Sequence, residues 1–283
     1  MIIAITGGSG FVGKSLVDKC LELGHKVRIL TRTFSNDRKN VKYFLGDLSC
    51  QDHDFSSFVE GVDILYHCAG EINNDSLMEE LHVDGTKRLV EAATGKISCW
   101  VQLSSVGVYG VCRFGKVNES SIEQPYGVYE STKNESDNIV KASSIPHVVL
   151  RPSNIFGDDM PNKSLWGLIE AIKSGMFFYI GKKNEAVVNY VHVSDVVNAL
   201  ILCGSDKNAL GEVFILSQSL VLEDMIISLA SGNDSNKKIL RFPEALIRFM
   251  VLIFGWIPRF PLTNSRVDAL TGKCVYNSTK ILK

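Results

Sequence analysis

TGGSGFVG (residues 6–13) stands between the apolar run MIIAI (1–5) and the segment KSLVDKCLELG (14–24). Residues 1–5 are rich in isoleucine and free of charge, which suits a strand buried on both faces. In the segment that follows, Leu16, Val17, Cys20, Leu21 and Leu23 recur at helical spacing, and Gly24 fits a C-terminal stop. The glycines therefore occupy a tight strand-to-helix turn. Glycine there permits positive φ and close backbone approach, while the helix N-terminus offers N–H groups to a pyrophosphate. Taken alone, such a triplet also fits a purely structural αβ turn. Its place between a first strand and a first helix favours dinucleotide binding.

Strand and helix then alternate through the first half of the chain. HKVRILTR (25–32), VKYFLGD (41–47) and VDILYHCAG (62–70) read as the second, third and fourth strands. Residues 76–93 are helical by spacing, SCWVQLSS (98–105) is a fifth strand, 126–143 a longer helix, and PHVVLRP (146–152) a sixth strand. After Asn154 the alternation loosens into a helix at about 164–174, a short strand at 177–180, a strand and helix over 189–203, and the strand GEVFILS (211–217). Residues 220–283 read as short helices around one strand. This order predicts an α/β fold, a Rossmann-type doubly wound parallel sheet with a smaller, mostly helical C-terminal substrate lobe. The dinucleotide-binding domain takes residues 1–154 plus about 188–217; the lobe takes about 155–187 and 218–283. In such sheets ligands bind beyond the carboxyl ends of the strands. Thr6, Asp47, His67–Gly70, Ser104–Ser105 and Arg151–Asn154 all lie there.

Composition narrows the partners. The 283 residues carry 30 Lys+Arg against 31 Asp+Glu, a net charge of −1, without a basic block, so no nucleic-acid partner is expected. Seven scattered cysteines, with no Cys-x-x-Cys pair, predict reduced thiols and a cytoplasmic location. The six histidines show no metal-ligand spacing, and no signal peptide precedes the first strand. ALIRFMVLIFGWIP (245–258) is too short to span a bilayer and contains Arg248; it reads as a lobe-packing helix, with a membrane-surface face as the alternative.

Tyr129 and Lys133, four apart in YESTK, share one helical face. A lysine ammonium near a phenol favours the phenolate, so the tyrosine could exchange a proton nearer neutral pH. Ser105, closing the fifth strand, supplies a hydroxyl for a carbonyl oxygen held before Tyr129. Each feature alone is commonplace; the glycine turn, Ser105 and Tyr129/Lys133 in this order are not. Asp195 reads as a helix N-terminal capping acid rather than a functional one. For Trp166, Phe177, Phe178 and Tyr179, pocket lining and lobe packing stay equally open.

TGGSGFVG (6–13), GDL (46–48), HCAG (67–70), HVDGT (82–86), SSVGVYG (104–110), YESTK (129–133), LRPSNIFG (150–157) and YVHVSDVVNAL (190–200) form an ordered set. As a set it resembles the extended short-chain dehydrogenase/reductases, the NAD(P)-dependent sugar-nucleotide epimerase/dehydratase group, over nearly the whole chain. The resemblance implies Ser105, Tyr129 and Lys133 as a catalytic triad. It implies cofactor contacts from Gly7, Ser9, Gly10, Phe11, Val12 and Gly13, with Asp47 and Leu48 flanking the adenine and Cys68, Ala69 and Gly70 lining the cofactor. Pro152 to Asn154 would lie by the nicotinamide or the substrate diphosphate, with Pro152 and Asn154 counted among the cofactor contacts. The chain departs from the family in three places. His82 stands where an Asn is frequent. Val188-Asn189 replaces an Arg-Asp whose arginine grips a substrate diphosphate. The sequence ends at STKILK, where relatives continue through a Leu-Gly-Trp.

An NAD site usually ends its second strand with an acid for the ribose hydroxyls. Here Leu30-Thr31-Arg32-Thr33 offers none before Asp37, and Thr31 with Arg32 could meet a ribose phosphate; NADP is favoured, NAD the alternative. The expected reaction is reduction of a 4-keto group on a nucleoside-diphosphate sugar. The alternatives are an NAD-dependent sugar-nucleotide 4-epimerase, a reductase of a small non-sugar ketone, and a non-catalytic dinucleotide-binding protein. A homodimer is a further expectation, with a small-molecule substrate as the partner.

Overall fold

The computed structural model describes residues 1–33, 38–161, 163–230, 239–257 and 262–283. Its centre is a seven-stranded, all-parallel sheet. In chain order the strands are β1 (Ile2–Thr6), β2 (Lys26–Thr31), β3 (Val41–Leu45), β4 (Ile64–His67), β5 (Cys99–Leu103), β7 (His147–Pro152) and β11 (Val213–Leu216). In space they run β3-β2-β1-β4-β5-β7-β11, so the order reverses between β1 and β4. A ligand crevice opens at such a reversal.

Both faces of the sheet are covered, and the alternation within β1 shows how. Ile3 and Ile5 pack with Leu16, Val17 and Cys20 of α1 (Phe11–Glu22) and Val196 and Leu200 of α7 (Val193–Ser205). Ala4 faces the other layer, where Leu65 and Trp100 meet Phe58 of α2 (Ser56–Val59), Leu89 of α4 (Gly85–Ala93) and Val140 of α5 (Val128–Ala142). Burying both faces is what allows β4 and β5 to be fully buried strands, apart from the polar ends discussed below. The helix expected over 76–93 is segmented: α3 (Asp75–Met78), a π-helical turn (Glu79–Asp84), then α4.

Outside the sheet lie smaller pairings. β8 (Asn154–Phe156), β10 (Val187–His192) and β12 (Gln218–Val221) form a three-stranded sheet. β9 (Tyr179–Ile180) pairs with β13 (Arg241–Phe242), and β6 (Phe114–Val117) with β14 (Lys273–Tyr276). Around them pack α6 (Lys163–Lys173), α8 (Leu222–Ala230), α9 (Glu244–Phe254) and α10 (Asn264–Thr271). Among the described residues, the C-terminal region thus holds three short strands beyond residue 217 where the sequence suggested one. Strands of two to four residues, paired to partners 28 to 159 positions away, leave no local periodicity to read.

One further expectation is corrected, and another is made specific. Cys112, just before β6, is disulfide-bonded to Cys274 on β14, 162 residues away, so not all seven thiols are reduced; only the parallel β6–β14 pairing brings the two together. α9 buries Ile247 and Val251 alone, while Leu246, Phe249, Leu252 and Trp256 are exposed, so it packs on the lobe by one narrow stripe. Pro258, the end of that stretch, lies outside the described residues. Among the described residues no helix is long and apolar enough to cross a membrane, and no three His, Cys, Asp or Glu side chains cluster as metal ligands.

Candidate active site

The glycine turn joins β1 to α1 at the reversal point. Gly7 adopts φ +68°, and a Cβ there would fall 2.7 Å from Ala69 N. A Cβ on Gly13 would fall 2.0 Å from Gly7 O. No L side chain fits either position, so the turn and the segment after β4 pack backbone to backbone. Gly10 is the N-cap of α1 and makes no side-chain cap, which leaves the first helical turn open to an external anion. The residues present fit a dinucleotide pyrophosphate. Ser9 and Gly10 are exposed, Phe11 is half-buried, and Val12 and Gly13 are buried, so the last two support the turn from inside.

A cleft of about 260 Å3 opens beside the turn, lined by Gly8, Ser9, Lys14, Thr31, Thr33, Arg38 and Tyr43 among others. Arg38 is ion-paired to Asp18 at 2.6 Å, and Thr31 Oγ1 donates to Thr33 O. Arg32 is exposed; its positive charge helps hold the Asp47 and Glu71 carboxyls below their usual range. For Asp47, burial works in the opposite direction, and the hydrogen bonds from Ser49 N–H and Oγ at 2.9 and 2.8 Å lead the lowering. Leu48 is buried under α4, its carbonyl accepting from Arg88. Asp37 lies outside the described residues.

At the far side of the reversal, Ser105 caps the 3-10 turn Val106–Tyr109, its Oγ accepting from Gly107 N–H at 3.1 Å. Tyr129 and Lys133 lie in the first two turns of α5. Lys133 is 4% exposed and its Nζ donates to Leu103 O at 2.7 Å, two residues before Ser105. Burial lowers the Lys133 pKa, opposed by the charges of Asp137 and Cys68. The expected depression of Tyr129 does not hold for the ligand-free chain. Burial, with the nearby Glu130 and Asp137 carboxylates, pushes its phenol up to about 12. Cys68 and Ala69 are half-buried and Gly70 exposed along the crevice; Pro152 is buried, and exposed Asn154 donates to Asn189 O at 3.3 Å.

Several strand-end residues turn inward rather than toward the crevice. Thr6 Oγ1 bonds His67 Nδ1 at 2.8 Å, the two being register partners on β1 and β4. His67 Nε2 meets Thr86 Oγ1 at 3.1 Å, and Thr86 bonds Ser136, which accepts from Gln102. Ser104 Oγ donates to Asp137 Oδ2 at 2.7 Å, and fully buried Arg151 bonds Asp137, Tyr109 and Glu123. These groups brace the site and do not face it. Asp137 was missed by the sequence reading, although its place four residues after Lys133 on the same helical face was a usable signal.

His82, one departure from the family pattern, bridges two segments. Its Nε2 accepts from Glu71 N–H at 2.9 Å, and its Nδ1 lies 2.8 Å from Thr132 Oγ1. A backbone N–H can only donate, so in the neutral ring the proton sits on Nδ1 and Thr132 Oγ1 accepts it, passing its own hydrogen to Val128 O at 2.9 Å. Burial and the Lys133 charge lower the His82 pKa to about 3. Val188, the second departure, is buried in the lobe core. Phe177 and Tyr179 pack in that core, Phe178 against Phe242, and Trp166 donates to Met160 O. His192, not Asp195, caps α7.

A family model described as the NAD dependent epimerase/dehydratase family matches residues 3–216. The human sterol-4-alpha-carboxylate 3-dehydrogenase, decarboxylating, is 29% identical over 210 residues, 70% of this chain and 56% of that protein. The chain thus spans less than two thirds of the length of that relative. The dTDP-6-deoxy-L-talose 4-dehydrogenase (NAD(P)(+)) of Kitasatospora kifunensis is 29% identical over 226 residues, covering 73% and 71% of the two chains. In fold, UDP-glucuronic acid 4-epimerase from Bacillus cereus, solved with UDP-glucuronic acid and NAD, superposes with a TM-score of 0.74 at 18% identity, covering 99% of this chain and 91% of that one. With its glycine turn at the reversal of a seven-stranded parallel sheet, this chain belongs to the NAD-dependent epimerase/dehydratase family.

Proposed function

We propose that the chain is an NADPH-dependent reductase of the 4-keto group of a nucleoside-diphosphate sugar. Residues 1–154 and about 188–217 would bind the dinucleotide, and the remainder the sugar nucleotide. One arrangement carries the reading: Lys133 of α5 bonds Leu103 O at 2.7 Å, two residues before Ser105, which sets the start of α5 with Tyr129 against the end of β5, and burial raises the Tyr129 pKa and so keeps the phenol in the protonated form a proton donor needs. When bound, NADPH supplies the hydride. Ser105 Oγ already accepts from Gly107 N–H, so its own hydrogen is left to donate to a substrate carbonyl oxygen. Tyr129 would give its proton to that oxygen as the carbonyl is reduced, and the buried Lys133 charge would stabilise the phenolate that results. Gly7, Ser9, Gly10, Phe11, Val12 and Gly13 would hold the pyrophosphate. Arg32 and Thr31 would meet the 2′-phosphate, with Asp47, Leu48, Cys68, Ala69, Gly70, Pro152 and Asn154 along the adenosine and nicotinamide. The test is loss of NADPH absorbance on a panel of dTDP- and UDP-4-keto sugars. No turnover on the panel, or tightly retained NAD in the purified protein, removes this reading and favours a 4-epimerase.

The buried Val188 supports a second reading, reduction of a small apolar ketone, because no cation stands where the family's diphosphate-gripping arginine would. Four cations of the lobe could replace that arginine for a sugar nucleotide: Lys182 and Lys183 are exposed, Arg266 lies exposed in the first turn of α10, and the Lys163 side chain lies outside the described residues. Millimolar UDP or dTDP should raise the melting temperature if a sugar nucleotide is the substrate. No shift with either nucleotide puts the small-ketone reading ahead.

A further inference from the structure

We infer that His82 is a positioning residue that sets the orientation of Tyr129 through Thr132, clamping the first turn of α5 to the crevice segment after β4. The inference rests on the reading of Tyr129 as the proton donor. Three contacts carry it. His82 Nε2 accepts from Glu71 N–H at 2.9 Å, immediately beyond the crevice residues Cys68, Ala69 and Gly70. His82 Nδ1–H donates to Thr132 Oγ1 at 2.8 Å, and that hydroxyl lies within reach of both Val128 O at 2.9 Å and Tyr129 O at 3.1 Å. The imidazole also stands edge-on to the Tyr129 ring, centroids 5.8 Å apart at 79°.

The chemistry explains why a ring can do this. Imidazole presents its acceptor and donor on opposite sides of a rigid frame, so one side chain spans two segments, whereas a carboxamide carries both on one carbon. The hydrogen-bond directions are fully determined: Glu71 N–H to Nε2, Nδ1–H to Thr132 Oγ1, Thr132 O–H to the α5 carbonyls. The other tautomer, protonated on Nε2, would oppose two donors at Glu71, and a ring flip would place carbons at both partners, so neither can substitute. The π-helical turn Glu79–Asp84 carries His82, and such a widened turn is a common way to aim one side chain out of helical register. His82 is 2% exposed, so the clamp is shielded from competing water.

The experiment labels tyrosine rings with 13C and assigns Tyr129 among the eight tyrosines with Tyr129→Phe. His82→Leu is expected to displace the Tyr129 resonance while leaving those of Tyr66 and Tyr179 in place, and Thr132→Val is expected to displace it in the same direction. His82→Asn, which keeps a donor and an acceptor, should restore part of the displacement. A Tyr129 resonance at its parental position in folded His82→Leu overturns the inference. Should His82→Leu not fold, Thr132→Val, which removes one hydroxyl at nearly constant shape, makes the same decision. In turnover, the two variants should each lower kcat about tenfold or more, the scale of a small misplacement of a reacting group, with little change in the cofactor Kd. The double variant should be no worse than His82→Leu, since the two residues act as one unit. Multiplying effects, or a loss confined to cofactor Kd and Tm, also overturn it. A parent inert on the sugar panel refutes the functional reading but leaves the resonance test standing.

Discussion

Replacing His82 by Asn should flatten the acid side of the stability profile. An unfolded histidine titrates at its ordinary value of 6.5, whereas folded His82 is held at about 3 by burial and by the Lys133 charge. A folded-state pKa below the unfolded one means that the unfolded chain binds the proton first. The His82 contribution is therefore intact above pH 6.5 and is lost progressively as pH falls toward 3. Between pH 7 and pH 5 the unfolded ring spends about 1.5 units below its pKa, and at about 1.36 kcal/mol per unit the parent should lose about 2 kcal/mol through this residue. Asparagine does not titrate, so His82→Asn should lose that much less over the same interval. His67 is also held well below its usual value, first by burial and then by the Lys133 charge, both present in the two proteins, with His82 the smallest of its three causes, so most of its contribution cancels. Urea unfolding of parent and variant at pH 7 and pH 5 measures the difference of differences. Equal losses in the two proteins would show that His82 is not buried neutral, and with it the assigned tautomer and the clamp to Thr132 would fall.

Tyr129→Phe keeps the ring and removes the proton, so turnover should drop by about 10² or more with cofactor binding unchanged; near-normal rates would remove Tyr129 from the mechanism. Arg32→Ala should weaken NADPH by roughly 1.5–3 kcal/mol, the scale of a hydrogen bond to a charged group, and leave NADH alone. Equal weakening of both cofactors in a fluorescence titration would make Arg32 a surface residue and favour retained NAD. Gly13→Ala forces a Cβ to within 2.0 Å of Gly7 O, so the turn must open. The overpacking strain is about 1–3 kcal/mol, and dinucleotide affinity should fall at least tenfold; an unchanged Kd by calorimetry would refute the role of the turn.

Most of the architecture was legible in the sequence because its signals are local. The apolar run 1–5, the glycine triplet and the helical spacing after it are read from neighbours a few residues apart, and a parallel sheet repeats that unit. The same holds for Tyr129 and Lys133, which share a helical face by counting alone. What only the tertiary structure decided are pairings between distant segments and the protonation states they impose. Thr6 looked like a ligand contact until the register of β1 on β4 turned it onto His67. Cys112 and Cys274 became partners through the parallel pairing of β6 with β14. Lys133 was expected to make Tyr129 acidic; in the ligand-free chain burial and the Glu130 and Asp137 carboxylates raise the Tyr129 pKa, because desolvation depends on what surrounds a group and not on spacing along the chain. His82 was visible only as a departure from a pattern, and its meaning came from two partners, 11 residues before it and 50 after it.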